Sequence, residues 1–103
     1  MSYLEDIFSL EGQTAIVSGG AGAIGTVMSD ALLQAGANVV VWSRTRASLD
    51  TFAQRYSDRP ELLDKLLITE VDTSDERSVE QALDEAARHF TMPEILINGV
   101  GGN

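Results

Sequence analysis

No cysteine occurs in the 103 residues, and histidine occurs once, as His89. These absences exclude a disulfide framework, a thiolate nucleophile, a Cys-ligated metal site and a His-rich metal cluster. Basic residues are scarce as well: seven Lys and Arg face sixteen Asp and Glu, for a formal net charge of -9. Binding nucleic acid or an anionic membrane needs a basic footprint, which these scattered cations do not supply. Neither is expected as a partner, whereas one small anionic ligand remains compatible. No apolar run approaches the roughly 20 residues that cross a bilayer. The start, Met1 to Gly12, carries Glu5 and Asp6 where a basic leader would stand. The expectation is a cytoplasmic chain with neither signal peptide nor membrane span.

What is present is a modest apolar fraction, 44% of residues, arranged in a regular alternation. A chain of this length buries roughly 60–68% of its extended surface, enough for one core, so residues 1–103 read as a single domain. Thr14–Val17 is a short β-branched run that stops at a glycine-rich turn, and an amphipathic stretch from Thr26 to about Ala35 follows. Gly36 ends that helix, and Val39–Trp42 is an uninterrupted apolar run, the pattern of a strand buried on both faces. Leu49, Phe52, Ala53 and Tyr56 recur at helical spacing until Pro60 breaks the pattern.

Leu62 to Ile68 suits either a short helix or the approach to a strand, which the pattern places at roughly 67–71. Thr73 or Ser74 is the expected cap of a further helix with Val79, Ala82, Leu83, Ala86 and Phe90 on its apolar face. Ile95–Ile97 then forms a fourth strand. The order βαβαβαβ with right-handed crossovers predicts an α/β fold. Its four parallel strands run 3-2-1-4, and the third helix lies on the opposite face of the sheet.

Gly19, Gly20, Gly22 and Gly25 fall between the first strand and first helix. Glycines there permit a tight turn and close approach of the backbone to a pyrophosphate, which meets the free N–H groups of a helix beginning near Ile24. The bland alternative is a solvent-facing turn; the strand before it and helix behind it favour nucleotide binding. No Gly-Lys-Ser/Thr follows, which excludes a P-loop.

These residues resemble the short-chain dehydrogenase/reductase family, as the amino-terminal half of its Rossmann-type cofactor domain, over essentially the whole chain. Ser18-Gly19-Gly20-Ala21-Gly22-Ala23-Ile24-Gly25 is similar to the family's Thr-Gly-x-x-x-Gly-x-Gly, with Ser18 for Thr and Ala23 at the middle glycine. Read as Thr-Gly-x-x-Gly-x-x-Gly, the pattern of the extended, epimerase-like branch, it keeps all three glycines. At the end of the second strand Ser43 stands where an acid would accept from the ribose hydroxyls of NAD, and Arg44 follows. Hydroxyl and guanidinium donors suit a 2'-phosphate, so NADP is expected over the alternative, NAD, with Arg46 a weaker second cation.

Asp72, with Thr73 behind it, matches the family position that bonds the adenine amino group, and its place outside a strand's carboxyl end favours that role, the alternative being that Asp72 or Ser74 caps the following helix. Asn98-Gly99-Val100-Gly101 resembles the Asn-Asn-Ala-Gly that follows the fourth strand and favours the classical branch. The longer string Ile97 to Asn103 is similar to fructuronate reductase and mannonate oxidoreductase members. The resemblance thus assigns cofactor contacts to Gly19, Gly22, Ala23, Ile24, Gly25, Ser43, Arg44, Asp72, Thr73, Asn98, Gly99 and Val100.

Family chemistry moves a hydride between nicotinamide and an alcohol or carbonyl, with a Tyr-x-x-x-Lys pair as its acid/base. Tyr3 is followed at that spacing by Ile7 and Tyr56 by Pro60, so no catalytic residue is expected and the chain alone is read as inactive. His89 is read as a solvent-facing or cationic helix-end residue rather than a catalytic one. Three readings stay open: the cofactor-binding part of an oxidoreductase cut after its fourth strand, a non-catalytic nucleotide-binding or interaction module, and a piece of a nucleotide-sugar epimerase or dehydratase. An uncovered apolar edge at the fourth strand leads to an expectation of self-association.

Overall fold

In the computed structural model, which describes residues 10–19 and 21–98, the apolar runs become four strands. These are β1 (Thr14–Ser18), β2 (Asn38–Ser43), β3 (Leu66–Glu70) and β4 (Ile95–Asn98). Between them lie α1 (Ala23–Gln34), α2 (Arg46–Gln54), the single turn α3 (Pro60–Leu63) and α4 (Glu76–His89). Every pairing is parallel, and the sheet order is β3-β2-β1-β4, as expected. The fold is Rossmann-like.

The two central strands are apolar throughout because both faces are covered. Val17, Val39 and Val41 pack with Leu33 of α1 and with Leu49 and Phe52 of α2. Ile16, Val40 and Trp42 turn to the other face and meet Ala82 and Ala86 of α4. Strand alternation therefore sorts consecutive residues into two cores, and the third crossover takes α4 to the far side.

The structure differs from the sequence reading in local detail. The ambiguous Leu62 to Ile68 stretch contains both elements: Pro60 opens α3, and β3 starts at Leu66 and ends at Glu70, one residue earlier than expected at each end. Pro60 thus begins a helix, since its missing N–H costs nothing in a first turn. Val71, past the strand's end, remains 2% exposed, and its N–H donates to Ser43 O at 2.9 Å.

The cap of α4 is Asp75, whose carboxylate accepts from Arg77 N–H, and not Asp72, Thr73 or Ser74. The Ser74 hydroxyl is already committed, donating to Asp72 Oδ1 at 2.6 Å. Leu83 lies about 100° around the helix from Ala82 and is 41% exposed, so it does not belong to the buried stripe. Tyr56 lies beyond α2, buried against Phe52, with its hydroxyl donating to Asp30 Oδ1 of α1 at 2.6 Å.

Among the described residues β4 pairs only with β1, and Leu96 on it is 70% exposed. Ile24 and Val27 of α1 are exposed as well. No helix among the described residues is long and apolar enough to cross a membrane.

Candidate functional site

β1 delivers the chain to its glycine turn at the carboxyl edge of the sheet. Gly19 has φ +75°, a conformation a side chain would strain, and its N–H donates to Trp42 O at 2.8 Å. Gly22 N–H donates to Gly19 O at 3.0 Å and closes the turn. Gly22 itself is extended, and a Cβ there would stand 3.4 Å from Gly19 O, close to ordinary contact.

The amino end of α1 carries no side-chain cap and no acid in its first turn. The N–H groups of a first helical turn have no acceptor within the helix, and the summed peptide dipoles leave partial positive charge there. Thr26 N–H returns to Gly22 O at 2.8 Å, so the donors left open belong to the turn before it. Gly25, in the first turn of α1, is buried.

A cavity of about 650 Å³ opens on this turn. Of the residues singled out in the sequence, Gly19, Gly22, Ala23, Ile24, Ser43, Arg44 and Thr73 line it together. Glycines and the helix end form one side, and the ends of β2 and β3 form the other. That combination suits a dinucleotide: backbone donors for a pyrophosphate, Ser43 and Arg44 for a ribose and its substituents, an apolar floor for a base.

Asp72 lies off this cavity. Its Oδ1 accepts from Ser74 N–H at 3.0 Å and from the Ser74 hydroxyl, and these donors hold its carboxyl below the usual range, with a smaller contribution from the Arg44 charge. It lines an adjoining cleft of about 500 Å³ with Arg44, Glu70 and Ser78. Asn98 is the ladder partner of Ser18, at the level where β1 meets the glycine turn, but it does not line the large cavity. Gly99 and Val100 lie outside the described residues.

The sequence reading placed Trp42 in the second strand and residue 71 at the end of the third, with no ligand role for either, yet both line the cavity and form its apolar floor. Trp42 is 4% exposed, and its buried Nε1–H has no hydrogen-bond partner among the described residues. Alternation along β2 sends it toward α4, which only the folded sheet reveals. Thr45 and Ser48, at the start of α2, also line the cavity unforeseen. Tyr56 is unavailable as an acid/base: burial first, then its bond to Asp30, push its hydroxyl up to about 12. His89 is exposed, at the carboxyl end of α4 against Phe90.

The family model described as short chain dehydrogenase matches residues 13–103. The chain belongs to the short-chain dehydrogenase/reductase family. It is similar to 3beta-hydroxysteroid dehydrogenase 2 of Eggerthella lenta, at 34% identity over 89% of this chain and 34% of that protein. Among solved structures it is similar to 2-keto-3-deoxy-D-gluconate dehydrogenase from Streptococcus agalactiae. That match has a TM-score of 0.82 and 28% identity, and covers 96% of this chain and 36% of the other. A 3-ketoacyl-(acyl-carrier-protein) reductase from Brucella melitensis, solved with NADH, matches with a TM-score of 0.73 and 30% identity over 85% of this chain and 34% of that one. The chain spans about a third of the length of these relatives. Short-chain dehydrogenases/reductases are oxidoreductases that bind NAD(H) or NADP(H).

Proposed function

We propose that residues 1–103 are the cofactor-binding portion of an NAD(P)-dependent short-chain oxidoreductase that prefers NADP. The observation that carries this reading is the uncapped amino end of α1, presented by the glycine turn to a cavity of about 650 Å³ at the carboxyl ends of β1, β2 and β3. Gly19, Gly22, Ala23 and Ile24 hold the pyrophosphate, Ser43 and Arg44 take the 2'-phosphate, and Val71 with Thr73 bounds the adenine. Asp72, Asn98, Gly99 and Val100, together with Gly25, complete the proposed cofactor contacts.

When bound, a nicotinamide dinucleotide supplies the hydride donor or acceptor for an alcohol or carbonyl substrate. A sugar acid of the kind handled by fructuronate reductases is the proposed substrate class of the whole protein. Its supports are the Ile97 to Asn103 string and the likeness to a dehydrogenase named for a keto-deoxy sugar acid. Residues 1–103 alone bind without turnover, because neither tyrosine has a lysine four residues on and Tyr56 is spent on Asp30. Self-association across the β4 edge follows from exposed Leu96.

Trp42, the one tryptophan of the chain and a wall of the cavity, reports the test. Titration with NADPH is expected to change its emission, with NADH binding about tenfold more weakly, the equivalent of about 1.4 kcal/mol. An emission and a calorimetric trace that stay flat for both nucleotides overturn the reading. Binding of both with equal affinity overturns the NADP preference alone.

A further inference from the structure

Arg44 is the cation that a 2'-phosphate would use, and the tertiary structure gives it a competitor. β2 ends on Ser43, where folds of this kind commonly carry an acid for the ribose hydroxyls. The acid missing from β2 stands one strand over, since Glu70, the last residue of β3, is the ladder partner of Ser43. Adjacent strands lie about 4.8 Å apart, so the Glu70 backbone runs beside Ser43, the position proposed to read the cofactor's ribose.

Arg44 lines the large cavity, and it also lines the smaller cleft that Glu70 and Asp72 share. It therefore occupies the wall between a nucleotide site and an acidic recess. Among the described residues the side chains of Arg44 and Glu70 make no ion pair, whereas the Asp72 carboxylate is engaged by Ser74 and also feels the Arg44 charge. Glu70 is exposed, so its charge is held by no other group.

We infer that Glu70 is a positioning residue for cofactor choice: its carboxylate draws the Arg44 guanidinium toward the smaller cleft, so a ligand with a 2'-phosphate must win the arginine back and one with a 2'-hydroxyl need not. This inference rests on the dinucleotide reading above and specifies how one part of that site is tuned. It also makes preference for NADP a balance that one surface carboxylate can shift.

Adenosine 2',5'-bisphosphate and 5'-AMP differ only by the phosphate in question, and their dissociation constants give the test. Glu70→Gln is expected to tighten the bisphosphate by about 3- to 10-fold and to leave 5'-AMP within about twofold. The gain is expected to vanish when Arg44→Gln is also present, and to shrink in about 0.5 M salt. Glu70→Ala is expected to act in the same direction, and thermal melting of each variant reports that the fold is intact. Equal changes for the two ligands, or a gain that survives Arg44→Gln, overturn the role of Glu70 and leave nucleotide binding standing. Failure of the unaltered chain to bind either ligand overturns the dinucleotide reading, and this inference with it.

Discussion

The two longest helices both begin at the carboxyl edge of the sheet, and they begin differently. α4 starts with a side chain serving its backbone: Asp75 accepts from Arg77 N–H at 3.1 Å, Glu76 adds a negative charge to the first turn, and Arg88 and His89 stand in the last. α1 starts on Gly22, with no side-chain cap, no acid in its first turn and no base in its last. Both ends face the same physical requirement, since the first N–H groups of any helix need acceptors from outside it. α4 satisfies it from within the chain and is thereby finished as a structural element. α1 leaves it open over a cavity, and the proposed nucleotide site rests on that difference.

Transplanting the cap gives the largest expected effect. Gly22 has extended backbone angles that any residue adopts, so Gly22→Asp copies the Asp75 arrangement onto α1. The variant is expected to be about 0.5–1 kcal/mol more stable, because a carboxylate caps the helix and meets its dipole. Its affinity for NADPH is expected to fall by at least about 30-fold, because the same carboxylate occupies the anion's place and repels it. Chemical denaturation and calorimetric titration read the two effects separately. Undiminished binding in Gly22→Asp breaks the contrast between the two helices.

An uncapped helix relies more on what holds its body, and here the bond between Tyr56 and Asp30 matters. Tyr56→Phe is expected to cost about 1.5 kcal/mol, the range of a hydrogen bond to a charged group. The bond also has a pH signature. Because the folded state raises the Tyr56 hydroxyl from its ordinary 10.0 to about 12, the protonated form is the one that folding favours. Its stabilisation is complete below about pH 10 and declines as pH rises from there to about 12. Denaturation midpoints for the two proteins are expected to differ at pH 8 and to converge as pH approaches about 12. A constant difference across that range counts against the assignment of the bond to these partners.

The smallest effect is expected at the closed helix. Asp75→Ala removes the α4 cap and is expected to lower stability by about 1 kcal/mol, with nucleotide affinity unchanged within about twofold. A loss of affinity comparable to that of Gly22→Asp would show that the two amino ends are one coupled feature rather than a structural and a binding version of the same backbone.

The glycine turn and the strands around it were legible in the sequence because their constraints are local. A residue at φ +75° between a β-branched run and an amphipathic stretch leaves few alternatives to Gly19, and the unbroken run Val39 to Trp42 suits only an element covered on both sides. The cap of α4 was not legible. Asp72, Thr73, Ser74 and Asp75 are consecutive residues with suitable oxygens, and the choice fell to Asp75 once Asp72 and Ser74 had bonded each other. The stretch around Leu62 resisted for a related reason: a single helical turn followed at once by a strand leaves too few residues for either period to register.

By itself, then, the sequence determined the order of elements, the sheet they form and the glycine turn between β1 and α1, since these rest on neighbouring residues and on periods of two and 3.6. Which side chains share the cavity was decided only by the tertiary structure. Trp42 joins it through the alternation of a buried strand, Asp72 leaves it for its own turn, and Glu70 arrives beside Ser43 through the register of β2 with β3. Register and face depend on how distant segments pack, and no local pattern carries that information.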